Sequence, residues 1–123
     1  MQPDDTDAAH LLDMVTAGRE ALRFLAGTSY GEFLANLQLR RAIERDLEIF
    51  GEAARRLSDG FRETYPGVPW REVIGLRNIL AHDYGNVLPD RVWATASDEL
   101  EGLVLMLEEL LAGLPREYPD RDS

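Results

Sequence analysis

Apolar residues return along this chain every three or four positions, the spacing of one helix face, in four separate stretches. The first covers residues 5–26, with Ala8, Leu11, Leu12, Val15, Leu22 and Leu25 on the stripe. Asp4, Asp5 and Asp7 suit the positive end of that helix, and Gly27 suits its stop. The second is long, residues 30–57, and carries Phe33, Leu34, Leu37, Ile43, Leu47, Phe50, Ala54 and Leu57. Ser29, with Glu32 three positions on, predicts a capping box at its start. Ser58-Asp59-Gly60 ends it, and residues 59–69 read as a loop broken by Pro66, Gly67 and Pro69. Pro69 suits the first turn of a third helix over 70–81, because its fixed φ and missing N–H are harmless there. Gly85-Asn86 and Pro89 mark the next break. A fourth helix follows over 90–112, with Val92, Trp93, Ala96, Leu100, Leu103, Val104, Leu107, Leu110 and Leu111 on its stripe, and Gly113 and Pro115 at its end. No strand alternation, repeat or low-complexity tract interrupts the pattern. Such helices with short connections predict an all-α, antiparallel bundle of four to five helices. One domain over residues 1–115 is expected, with 116–123 as a flexible acidic tail. Trp70 and Trp93 are expected to pack in the core or at an interface.

A chain of 123 residues can bury a sizeable core without staples. With no cysteine, disulfides, thiolate metal sites and cysteine nucleophiles are excluded. The polar, acidic start does not read as a signal peptide, and no apolar run is long enough to span a bilayer, so a soluble cytoplasmic protein off the membrane is expected. All thirteen basic residues are arginine, and the net charge is -10. That balance argues against a protein that simply coats nucleic acid, where phosphate neutralisation drives binding. The charge is unevenly placed. Residues 1–39 hold six acids and two arginines, residues 40–91 nine of each, and residues 92–123 eight acids and two arginines. Only the middle of the chain can form a local basic surface, and most of its arginines are expected to pair with neighbouring acids.

The candidate chemistry is sparse. The two histidines are His10, in the first turn of the first helix and assigned no role, and His82. No His/carboxylate spacing suits a zinc or two-metal site, no glycine-rich phosphate loop is present, and no cofactor is expected. Acid pairs such as Glu99 with Glu101 and Glu108 with Glu109 read as a solvated helix face. Arg77, Asn78, His82, Asp83 and Tyr84, in contrast, fall within eight residues, between apolar positions. At about 100° per residue, Asn78 and His82 share a face, Arg77 and Tyr84 nearly eclipse, and Arg77 and His82 lie about 140° apart. The last two can meet one phosphate only if the helix ends or bends near His82, or if a second copy of the chain supplies the partner. The residue types suit RNA cleavage without a metal. A histidine moves a proton near neutral pH, and an arginine forks onto phosphate oxygens and stabilises transition-state charge. Asn78 can hold a phosphate oxygen or orient His82. On the pattern alone, pairing of these groups with Asp83 and with helix C-terminal carbonyls is the better explanation.

The segment Arg77-Asn78-Ile79-Leu80-Ala81-His82-Asp83-Tyr84 resembles the signature of HEPN-domain proteins: an arginine, a polar residue, a short spacer and a histidine. Its His-Asp-Tyr ending is similar to the His-x-Tyr extension of the HepT-like branch. Residues 42–54, from Ala42 through Glu52 to Ala54, resemble that family's second helix, and Pro69-Trp70 precede the motif as they do there. The likeness spans roughly residues 8–112. It implies a HEPN-like helical bundle that forms a homodimer, with two Arg/His motifs along one cleft. It implies a metal-independent endoribonuclease, the toxin of a type VII-like toxin–antitoxin pair, acting on cellular RNA. Arg77 and His82 would be catalytic, with Asn78 and Asp83 in support. The partner would be an MntA-like nucleotidyltransferase antitoxin that transfers AMP to Tyr84. A phenol modified in this way gains bulk and negative charge and repels RNA. The acidic balance favours an alternative: a non-catalytic HEPN module that docks on a nucleotidyltransferase or binds a nucleotide.

Overall fold

A computed structural model describes residues 5–82 and 89–114 of the chain, and among them every regular element is helical. The elements are α1 (Asp5–Leu25), α2 (Tyr30–Ala35), α3 (Leu37–Arg56), α4 (Asp59–Thr64), α5 (Trp70–His82), α6 (Pro89–Ala94), a π-helical turn (Thr95–Glu99) and α7 (Leu100–Gly113). The longest packing seams join α1 to α3, α3 to α5, and α1 to α7. The start of α1 lies beside the end of α3, because the buried Asp7 accepts from the Ser58 N–H at 2.8 Å and from its hydroxyl at 2.7 Å. Those two helices are therefore antiparallel.

Most of the core lies on the predicted stripes, with Met14 buried off the first of them and Leu12, on it, half exposed. Leu11 and Met14 of α1, Ile43, Leu47 and Phe50 of α3, Val73 of α5, and Leu100, Val104 and Leu107 of α7 are all but fully buried. Each such side chain stabilises the fold by about 1.5–3 kcal/mol relative to exposure. Gly18 allows α1 to close on this core, since a Cβ there would stand 2.5 Å from Val104 Cγ2. Trp70 is buried and donates Nε1–H to the Tyr65 carbonyl at 2.9 Å, and Trp93 stacks obliquely on Tyr30 and Phe33. Both tryptophans are packing residues, as expected. Gly27, with φ +74, ends α1 as its position suggested.

Three boundaries differ from the periodicity reading. The long second helix is two helices, α2 and α3, because Asn36 leaves helical backbone and its side chain caps α3 by accepting from Leu39 N–H at 3.0 Å. The capping box of Ser29 and Glu32 is present, but it starts only the six-residue α2. Within the 59–69 loop, residues 59–64 form α4, because Ser58 does not merely end α3. Its hydroxyl accepts from Phe61 N–H at 3.1 Å and caps a new turn. The fourth helix starts at Pro89 and contains the π turn, closed by Leu100 N–H on the Thr95 carbonyl. The buried residues Val92, Ala96, Leu100 and Val104 follow one another in steps of four, and each such step overshoots an α-helix turn by about 40°. One wide turn absorbs the extra residue and returns the stripe to the core. The break at Gly85-Asn86 and the tail 116–123 lie outside the described residues. No described helix is long and apolar enough to cross a membrane.

Candidate active site

Arg77 sits in the middle of α5, half-buried, facing α3. It is placed there by a close crossing of the two helices. A Cβ on Gly51 would fall 2.8 Å from the Val73 carbonyl, 2.9 Å from Arg77 N and 3.0 Å from Arg77 Cβ. Only glycine lets the backbone of α5 approach α3 so closely. One residue further along α3, Glu52 meets Arg77 in an ion pair, with Nε 2.9 Å from Oε1.

Glu52 is the centre of a larger cluster. Arg55 donates to its carboxylate from Nε at 3.2 Å and from Nη2 at 2.8 Å, and Arg56 donates from Nε at 3.1 Å. Three guanidinium groups thus surround one carboxylate. The hydrogen bonds of Arg55 come first, then those of Arg56 and the field of Arg77, and together they outweigh partial burial to hold Glu52 down at about 2. It is ionised throughout the range in which RNA chemistry runs.

The cluster opens into a cleft of about 410 Å³. His10 and Asp13 of α1 form one wall, Arg45, Glu48, Glu52 and Arg56 of α3 form the floor, and Arg77 of α5 forms the other wall. Arg45 pairs with Glu48 on the exposed side. Most other arginines near the cleft also pair with acids three or four residues away, as Arg41 does with Glu44, which bears out the expectation of local ion pairs. Three arginines and three acids line the cleft, so it is no general basic trough. Among the described residues no group of three His, Asp or Glu side chains could hold a metal ion.

Of the residues singled out from the sequence, Arg77 lies in this cleft, and His82 is the last residue of the same helix, which runs unbroken from Trp70. The side chains of Asn78 and His82, and all of Asp83 and Tyr84, lie outside the described residues. His10, given no role on sequence grounds, shares the cleft with Arg77 from the opposite wall. Glu52 was legible only as part of the segment that resembles the family's second helix. Its spacing to Arg55 and Arg56, three and four residues on, was the available signal.

Comparison with known proteins gives the family. The sequence profile described as "Ribonuclease HepT-like" matches residues 14–110, which include the cleft-lining parts of α3 and α5. A Methanocaldococcus jannaschii protein named "Putative RNase MJ1380" is 38% identical over 92 residues, covering 75% of this chain and 84% of its own. The "Probable ribonuclease HepT" of Thermococcus cleftensis is 30% identical over 101 residues, covering 82% and 92%. No solved structure matches significantly. The profile spans most of an all-helical chain whose Arg/His helix borders a cleft, and the chain belongs to the HepT-like ribonuclease family.

Proposed function

We propose that the chain is the toxin of a toxin–antitoxin pair, an endoribonuclease that cuts cellular RNA without a metal ion. One observation carries this reading above the others: Arg77 is set in a cleft, paired with a fixed carboxylate, on the same unbroken helix as His82. In the reaction, Arg77 forks onto the phosphate oxygens and stabilises the charge that builds as the ribose 2′-oxygen attacks. His82 moves the proton, taking it from the 2′-hydroxyl or giving it to the leaving oxygen. Asn78 and Asp83 support the pair.

Because α5 is continuous through both positions, Arg77 and His82 stand about 140° apart around its axis. A homodimer answers this by letting each copy complete the other's cleft. Control would come from an MntA-like nucleotidyltransferase antitoxin. The Tyr84 phenol attacks the α-phosphate of ATP, pyrophosphate leaves, and the tyrosyl-AMP brings negative charge beside Arg77 and blocks RNA.

Expression of the chain alone, with and without His82→Ala or Arg77→Ala, tests the reading. Wild type should arrest growth and degrade RNA, and the purified protein should cut undiminished in chelator. Each variant should lose cleavage and keep its helical spectrum. A requirement for divalent metal, or full cleavage by His82→Ala, would refute the mechanism. Sedimentation should give a dimer at micromolar concentration. The cognate nucleotidyltransferase with ATP should add AMP mass to the peptide containing Tyr84, and not to the same peptide of Tyr84→Phe.

A further inference from the structure

We infer that Glu52 is the positioning residue for Arg77: its carboxylate, braced by Arg55 and Arg56, takes Arg77 at Nε and so sets the plane and direction of the guanidinium presented to the RNA phosphate. The inference rests on the ribonuclease reading above and assigns Glu52 a part in that same site.

Several observations converge on it. An arginine is long, and about 2 kcal/mol of rotamer entropy resists holding it in one place. A phosphate fork must nevertheless stay within about 0.5 Å of its working position to be useful in a transition state. The ion pair at 2.9 Å engages Nε, the nitrogen nearest the side-chain stem, and so tethers the guanidinium at its base. Glu52 is itself fixed. Arg55 and Arg56, one turn along the same helix, bond both of its oxygens, so the brace does not depend on the packing of α5. The crossing at Gly51 then brings the Arg77 backbone within reach of the next residue on α3.

Charge distinguishes positioning from sequestration. A single carboxylate paired only with Arg77 would cancel the positive charge the reaction needs. Here one carboxylate is shared among three guanidinium groups, Arg55 at the margin and Arg56 and Arg77 in the lining, and their surplus of positive charge exceeds the one extra acid among Arg45, Asp13 and Glu48. Arg77 is held in place and the site still attracts an anion. A simple brace between α3 and α5 would need neither the Nε geometry nor the two extra arginines.

The test is a double-mutant cycle on single-turnover RNA cleavage, with Glu52→Gln, Arg77→Lys and the double variant, alongside wild type. Glutamine keeps the size and one oxygen acceptor but not the charge. Glu52→Gln should cleave about 100-fold more slowly at saturation, the effect of misplacing a catalytic group by about 1 Å. Its half-saturating RNA concentration should be unchanged or lower, since a negative charge is removed. In the Arg77→Lys background the same change should slow cleavage less than about twofold, because the group it positions is gone. Glu52→Asp, which keeps the charge but draws it back about 1.5 Å, should lose at least about tenfold. It also serves if the glutamine variant does not fold. Wild-type rates in Glu52→Gln or Glu52→Asp, or an equal slowing in both arginine backgrounds, would overturn the inference. A wild-type chain that cuts no RNA would instead defeat the ribonuclease reading itself.

Discussion

Asp46 offers the sharpest test of how this bundle is held. It lies on α3 with only 4% of its surface exposed, and its Oδ2 has no hydrogen-bond partner. Burial pushes its carboxyl up, the neighbouring Glu20 carboxyl pushes it further, and Arg23 and Arg45 pull it down, for a net value of about 7. The unfolded chain releases that proton near 3.8, so between these values the folded state holds a proton that the unfolded state has lost. A raised carboxyl pKa therefore costs stability as pH rises. The contribution is intact below about pH 4, declines from there to about pH 7, and is fully lost above. At about 1.36 kcal/mol per unit, three units set a ceiling of about 4 kcal/mol, which sharing of the proton with Glu20 and residual hydration reduce to about 2. Asp46→Asn is nearly isosteric and neutral at every pH. Urea unfolding of both proteins at pH 4.5 and pH 8 reads the effect. The variant should be more stable than wild type by about 2–4 kcal/mol at pH 8 and by less than about 1 kcal/mol at pH 4.5. An equal difference at the two pH values, or a variant weaker at pH 8, would show that Asp46 is ionised and satisfied in the native protein.

Two further outcomes follow from the site. Gly51→Ala should lower stability by about 1–3 kcal/mol in thermal unfolding, because its methyl group meets the α5 backbone at 2.8 Å, and should slow RNA cleavage by more than that loss of folded protein accounts for. The half-saturating RNA concentration should rise less than about tenfold between 50 and 200 mM salt, as one or two phosphate contacts would give. A hundredfold rise would mean a long basic track and a different binding surface.

What the sequence revealed and concealed has a physical pattern. The caps at Ser29 and Gly27 were legible because each rests on residues adjacent in the chain. Asn36 was missed because it lies between apolar residues that continue the helical period. The evidence against one long helix was the step of six in the stripe from Leu37 to Ile43, and Leu34 and Leu37 are indeed exposed. The π turn was hidden for the opposite reason. Its apolar spacing looks regular, and only the repeated steps of four betray the drift it corrects. Arg77 was legible as a candidate from its motif, but its ion pair was not. Glu52 is twenty-five positions earlier, and nothing local says that Gly51 will bring the two helices into contact.

The net charge of -10 seemed at odds with a partner made of phosphates, and the fold reduces that tension. The acids of residues 92–123 that the structure describes sit on the π turn and α7, and neither element lines the cleft. One of them, Glu108, is neutralised by Arg19, with Nε 2.8 Å from Oε2. Helix axes in a bundle stand 8–10 Å apart, about one Debye length at physiological salt, so charge on the solvent side of α7 is largely screened at Arg77. The field an approaching phosphate meets is set within the cleft, where Asp13 and Glu48 outnumber Arg45 and the Glu52 cluster carries the surplus of guanidinium groups. On the proposed ribonuclease reading, an acidic protein of this design attracts RNA weakly over its surface and more strongly at one point. On that reading its reaction depends on how well a single arginine is aimed, and much less on how much positive charge the chain carries.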